Sequence, residues 1–195
     1  SMRAELGITE NEVLLLQVGS GFKIKGVDRA LHAIAALPEY WRQRTRYVLV
    51  GQGRPNRYLR QARKLGISDL VTVLPGRDDI PRFMQGADLL LHPAYMESAG
   101  YVLLEATIAG LPVLTTASCG YAFHIEQAQS GEVCAEPFQQ AELNSRLLGM
   151  LETLPTSGWS KNGLEYGKRA ELYTLPQVAL EIIERLAAVA GKSRG

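Results

Sequence analysis

The stretch His92–Val113, HPAYMESAGYVLLEATIAGLPV, decides how the rest of the chain reads. Just before it, Ala87–His92 (ADLLLH) is an apolar run of strand length that stops at Pro93. Ala94–Gly100 is a polar loop. Tyr101–Ala109 has the pattern of a helix, with Gly110 as its stop and Pro112 just beyond, and Val113–Thr116 is the next strand. The order is strand, loop, helix, strand, and the loop leaves the carboxyl end of a strand, where open α/β sheets bind ligands.

Two carboxylates mark this stretch. Glu97 stands in the loop and Glu105 in the second turn of the helix, among Val102, Leu103, Leu104, Ala106, Ile108 and Ala109. A carboxylate on so apolar a helix must be paired or hydrogen-bonded. Alone, Glu105 reads either as a residue on a narrow solvent strip tied to a base or as one at a cleft rim, accepting hydrogen bonds from ligand hydroxyls. The small residues Ser98, Ala99 and Gly100 favour the cleft, because their N–H groups can approach an anion at the helix N-terminus.

Working outward, Glu12–Gly19 (EVLLLQVG) is a continuous apolar run, the mark of a parallel strand buried on both faces. It leads into Ser20–Gly26, SGFKIKG. A dinucleotide fingerprint fails here because Ile24 stands where a third glycine is needed, and a P-loop fails because Val27-Asp28 follow Gly26. What remains is a glycine-rich loop with Lys23 and Lys25 before a helix, Val27–Leu37, which suits a diphosphate without a catalytic metal. Lys23 reads equally as a solvated loop charge. The second strand, Arg46–Val50, runs into Gly51-Gln52-Gly53, where the fingerprint fails again and a dehydrogenase is disfavoured. Asn56–Lys64 is a helix, Leu70–Leu74 a strand, and Pro75-Gly76-Arg77 the loop after it. Ile80–Gly86 is a short helix. Beyond the central stretch, Glu132–Ala135 is a strand, and Gln139–Leu151 and Trp159–Tyr173 are helices. About six strands alternating with helices predict one doubly wound, Rossmann-like parallel sheet. His32 and His124 read as packing residues, and neither Asp78-Asp79 nor any carboxylate or histidine group has metal spacing.

Glu97, Gly100, Glu105, Ala106, Gly110, Pro112 and Val113 match E-x-x-G-x-x-x-x-E-A-x-x-x-G-x-P-V, the pattern of the family 4 retaining glycosyltransferases, two-domain GT-B enzymes that use nucleotide sugars. GFKIKGVDR, ADLLLHPAY and AGLPVLTTASCGYA resemble, within that family, the lipopolysaccharide core glucosyltransferases, which add glucose to the inner-core heptose. The resemblance runs from about Leu14 to Pro137 and more loosely to the end. It implies the C-terminal, donor-binding half of a GT-B fold, a UDP-glucose donor, and no metal or cofactor. Its phosphate-binding lysine falls on Lys25, while the arginine of many relatives falls on Ser20. Glu97 would hold hydroxyls of the transferred sugar, Ser98, Ala99 and Gly100 would face the diphosphate, and Glu105 the ribose. Gly21 belongs to the phosphate loop, Gly51 to a turn near the nucleotide, and Arg77 to the nucleobase, unless it only pairs with Asp78 or Asp79. The G-G-x-x-E turn of most relatives is replaced by Cys119-Gly120, with Phe123 after it. Rival readings are a GT-B epimerase acting on UDP-sugars and a non-catalytic nucleotide-binding module.

Composition fits one domain of 195 residues, 46% apolar and of net charge +1. That charge gives no case for nucleic acid. Cys119 and Cys134 form no C-x-x-C and read as reduced thiols of a cytosolic protein. No apolar run has the length of a membrane span and no signal peptide stands out, so the expected place is the cytoplasm; the resemblance implies the cytoplasmic face of the inner membrane, with acceptor and membrane contact left to the other half. Residues 1–11 read as a lead-in with Ser1-Met2 a cloning remnant, and 12–173 as the nucleotide-sugar domain. Residues 174–195 read as a helix whose stripe (Leu175, Val178, Ala179, Ile182, Ile183, Leu186, Val189) would cross to the N-terminal domain or drive self-association.

Overall fold

A computed structural model describes residues 1–173. Six parallel strands form one sheet in the order β3-β2-β1-β4-β5-β6: β1 Val13–Val18, β2 Thr45–Val50, β3 Val71–Leu74, β4 Leu89–His92, β5 Val113–Thr116 and β6 Gly131–Cys134. The chain therefore reverses its direction of travel between β1 and β4, the switch point at which a doubly wound sheet opens a crevice.

The strands carry the sheet because they are apolar on both faces. In β1, Leu15 joins one core with Ala30, Leu31 and Ile34 of α2 (Val27–Ala35) and with Leu143 and Leu147 of α8 (Gln140–Thr153). Its neighbours Leu14 and Leu16 join the other core, with Phe83 and Met84 of α5 (Ile80–Gly86), Leu103 and Ala106 of α6 (Tyr101–Ile108) and Ile125 of α7 (Ala122–Ala128). Helices thus cover both faces, with α4 (Asn56–Lys64) beside α2.

Helix α6 is apolar on most sides because most of it is covered, with only Tyr101, Val102 and Glu105 turned to the cavity described below. The sheet lies under it and α9 (Trp159–Tyr173) lies over it. Gly163 and Gly167 make that approach possible: a Cβ on Gly163 would stand 2.4 Å from the Thr107 carbonyl, and one on Gly167 3.1 Å from Ile108 Cγ2.

Sequence and structure part at one helix. The segment after Pro38 forms a helix, α3 (Glu39–Arg44), which the sequence reading passes over; it buries none of its residues, so it carries no apolar stripe to read. The lead-in folds as a short helix and is anchored. Met2, in α1 (Met2–Glu5), is 3% exposed and packs on the face with α5, and Arg3 reaches the Gly86 carbonyl and the Asp88 carboxylate. The helix expected over Leu175–Val189, with its crossing and self-association, lies outside the described residues. Within them, no helix is long and apolar enough to cross a membrane.

Candidate active site

The loop after β1 and the loop after β4 meet across the switch point. Gly26 makes the meeting possible: its φ is +71°, and a Cβ there would lie 2.0 Å from the Pro93 carbonyl oxygen. Below the loop, buried Gln17 donates from Nε2 to the Lys25 carbonyl at 2.7 Å and accepts from the Tyr47 hydroxyl at 2.6 Å. This fixes the backbone from which the Lys25 side chain rises. Burial pushes the Tyr47 hydroxyl far above its usual range, so it stays a neutral donor.

The second loop is clamped by side chains from three directions. Thr116 Oγ1 and Ser118 Oγ both donate to the Ala94 carbonyl, at 2.7 and 2.9 Å. Arg29 donates to the same carbonyl at 3.1 Å while its guanidinium lies between the Tyr95 and Phe138 rings, 3.5 and 3.6 Å from their centroids. Tyr95 in turn donates to Asp28 at 2.7 Å. A single bridge then ties Glu97 to the loop after β5: Gly120 N–H donates to the Glu97 carbonyl at 3.0 Å.

With both loops fixed, Lys25 and Glu97 form an ion pair, their side chains 19% and 17% exposed. The other oxygen of Glu97 faces Nε2 of fully buried His92 at 2.5 Å. Burial pushes the Glu97 carboxyl up, but the hydrogen bonds from His92 and Lys25 outweigh it and hold its pKa at about 2. His92 is raised despite burial, by the Cys119 thiol and the Glu97 carboxylate beside it. The sequence shows no His-carboxylate group at metal spacing, yet folding brings ligand atoms of His92, Glu97 and Cys119 within 4.8 Å of one another. The Lys25 ammonium already on Glu97 opposes a cation there, so His92 and Glu97 read as a hydrogen-bonded pair with the Cys119 thiol nearby. Cys119 and Cys134 are both free and buried, and burial pushes Cys134 up to about 12.

A cavity opens beside the Lys25–Glu97 pair. Val18, Gly19 and Lys25 line it from the β1 side, Glu97, Tyr101, Val102 and Glu105 from the β4 side, and Arg77, Asp78, Ile80, Pro81 and Met84 from α5 and the loop before it. It therefore has a charged end and an apolar end. Glu105, half-buried, projects from α6 into it. Gly100 caps α6 in the left-handed region, φ +89°, and among the described residues the N–H groups of Ser98, Ala99 and Gly100 make no hydrogen bond. An anion at the charged end would find these donors beside Lys25.

The other sequence-predicted residues divide. Arg77 reaches the cavity, but its guanidinium is held by Asp79 at 2.6 and 2.9 Å, so the pairing alternative is realised together with the cleft position. Lys23 is exposed and lies off the cavity, as the solvated reading has it. Gly21, φ +75°, shapes the turn whose carbonyl receives the Ile24 and Lys25 N–H groups. Gly51 does not line this cavity. It lines a separate groove with Phe22, Gly53 and Pro75, and a Cβ on it would stand 2.2 Å from the Gly19 carbonyl oxygen. Ser20 accepts from the Gln52 N–H at 3.1 Å and so ties the loop after β1 to the turn after β2. His124 is satisfied by Tyr166 at 2.6 Å, as a packing histidine is. Sequence reasoning missed Gln17, Tyr47, Arg29 and His92; only the buried Gln in an otherwise apolar strand gave a signal.

Comparison with known proteins shows the family and the fold. The sequence pattern of the "Glycosyl transferases group 1" family matches residues 1–157. The lipopolysaccharide glucosyltransferase WaaG of Escherichia coli (strain K12) is 50% identical over 182 residues, 93% of this chain and 49% of that protein. The crystal structure of WaaG, described as a glycosyltransferase involved in lipopolysaccharide biosynthesis, superposes with a TM-score of 0.86. A D-inositol 3-phosphate glycosyltransferase of Mycobacterium sp. (strain KMS) is 35% identical over 66% of this chain and 30% of its own length. Anabaena Alr3699/HepE, crystallised with UDP-glucose, shares the fold at 24% identity and a TM-score of 0.74, over 96% of this chain and 51% of its own. The chain thus spans about half the length of WaaG.

Proposed function

The chain belongs to the group 1 glycosyl transferases, and from that premise we propose that it is the donor-binding half of a retaining glucosyltransferase that moves glucose from UDP-glucose to the inner-core heptose of lipopolysaccharide. The observation that carries the proposal is the meeting of Lys25 and Glu97 beside the open N-terminus of α6, at the switch point of the sheet. Half identity to WaaG along nearly the whole chain supports glucose as the sugar and the lipopolysaccharide core as the acceptor.

In this reading the diphosphate lies at the charged end. Lys25 and the N–H groups of Ser98, Ala99 and Gly100 receive it, and the positive charge there stabilises the leaving UDP as negative charge grows in the transition state. Glu97 accepts from hydroxyls of the glucose and Glu105 from those of the ribose. The uracil lies toward Arg77, Ile80, Pro81 and Met84, where the apolar wall covers its faces. No residue here is assigned as base for the acceptor, whose binding belongs to the half that WaaG has and this chain does not span. The reaction needs no metal in this scheme, and the place of work is the cytoplasmic face of the inner membrane.

Calorimetry with UDP, UDP-glucose and other nucleotide sugars tests the proposal. The chain is expected to bind UDP and UDP-glucose, the latter more tightly, and to transfer nothing alone. Glucosyl transfer by this chain by itself, or equal affinity for unrelated nucleotides, would contradict it.

A further inference from the structure

Both oxygens of the Glu97 carboxylate are taken, one by Lys25 and one by His92. The two partners differ in their freedom. Lys25 holds its ammonium on a flexible stem at the edge of the cavity, whereas His92 ends β4, is 0% exposed, and has its carbonyl pinned by the Thr115 hydroxyl at 2.9 Å. A diphosphate arriving at the loop after β1 competes with Glu97 for the Lys25 ammonium. Once Lys25 turns to the phosphate, Glu97 is left in a mostly enclosed position with one partner fewer. His92 has no room to follow.

The ring also carries an uncompensated cost. Its Nδ1 is buried and has no hydrogen-bond partner among the described residues. An orphaned buried polar atom destabilises a fold, and an apolar side chain of similar size would avoid that. Packing therefore does not account for an imidazole at the end of β4; the direction of the Glu97 carboxylate does.

We propose that His92 is a positioning residue, whose Nε2–H holds the Glu97 carboxylate in place for the donor's sugar while Lys25 leaves it for the donor's diphosphate. The inference rests on the donor-site reading above and adds to it a division of labour. Lys25 exchanges between two anions during the binding cycle, and His92 keeps one bond throughout. Substrate hydroxyls then meet a carboxylate whose orientation is fixed before they arrive.

Calorimetry on the chain tests this with His92→Leu and His92→Gln. The leucine variant is expected to bind UDP as the wild type does and to lose about tenfold or more in affinity for UDP-glucose, the loss of one charge-assisted hydrogen bond. The glutamine variant, which keeps an N–H donor, should recover part of it. In a Glu97→Ala background His92→Leu should change nothing further. A purely structural role would weaken UDP and UDP-glucose alike and persist in the Glu97→Ala background, and either result in a folded variant overturns the proposal. Should His92→Leu fail to fold, imidazole nitrogen NMR of the unsubstituted chain decides. A protonated Nε2, slow to exchange both without ligand and with UDP-glucose, is expected; an unprotonated Nε2, or one released on adding UDP-glucose, overturns it. A wild type that does not distinguish UDP-glucose from UDP would overturn the donor reading itself, and this inference with it.

Discussion

The loops after β1 and β4 leave the carboxyl end of the sheet and face each other across one cavity, yet they are held by different means. The first is shaped chiefly by backbone, with the Gln17 side chain beneath it. Gly19, Gly21 and Gly26 all have φ between +71° and +144°, and the turn closes on its own N–H and carbonyl groups. The second is held by side chains that come from elsewhere in the chain: Thr116, Ser118, Arg29 and, through Tyr95, Asp28. The difference teaches where tolerance lies. A backbone-shaped loop fails when one glycine gains a side chain, whereas a side-chain clamp loses its members one at a time.

The largest effect should come from Gly26→Ala. Its Cβ would meet the Pro93 carbonyl at 2.0 Å in a left-handed conformation, so a loss of about 3 kcal/mol or more in unfolding free energy is expected from denaturant titration. Gly21→Ala has the same backbone strain but open space around it, and should cost only about 1 kcal/mol. If the two substitutions cost the same, close approach of the loops is not what Gly26 provides.

Next in size is Lys25→Ala. Loss of a charge-assisted bond to the diphosphate is worth roughly 1.5–3 kcal/mol, tenfold or more in UDP affinity, and the wild-type affinity should fall as salt is added. An unchanged affinity would remove the first loop from the site. The two carboxylates sharpen the contrast further. Glu105→Ala should weaken UDP and UDP-glucose alike, whereas Glu97→Ala should spare UDP and abolish the preference for UDP-glucose. Equal effects of both on UDP would contradict the assignment.

The clamped loop should also be acid-sensitive. Glu97 is held below its ordinary 4.5, at about 2, so its ionised form favours the fold. That contribution is complete above pH 4.5 and is lost as pH falls toward 2. Glu97→Gln should therefore flatten the fall of Tm across this window, and an unchanged slope would show that the pair does not form. The smallest effect is expected for Ser20→Ala, which removes one exposed hydrogen bond to Gln52 and should cost no more than about 0.5 kcal/mol.

The same contrast explains what the sequence could show. The strands, both glutamates and the glycine-rich loop after β1 are legible because each is written in consecutive residues: continuous apolar runs, an E-x7-E spacing, glycines after a strand. The clamps are not, because Gln17 meets Tyr47, Arg29 meets Phe138 and Asp28 meets Tyr95 only after the sheet has formed. His92 is one step harder, since its proper reading depends on which Glu97 oxygen Lys25 takes. Gly51 is a turn residue, as its place at a strand end suggests, and it lines the neighbouring groove rather than the Lys25–Glu97 cavity. Arg77 stands between these cases, in the cavity by position and bound to Asp79 by chemistry.

The central claim is that one donor molecule touches both loops at once, and amide NMR during titration with UDP-glucose tests it most directly. The account predicts that N–H signals of residues 19–25 and of residues 97–102 shift together, with one affinity, and that Lys25→Ala weakens both sets in common. Shifts gathered instead around Gly51, Gly53 and Pro75, in the neighbouring groove, or confined to one loop, would contradict it.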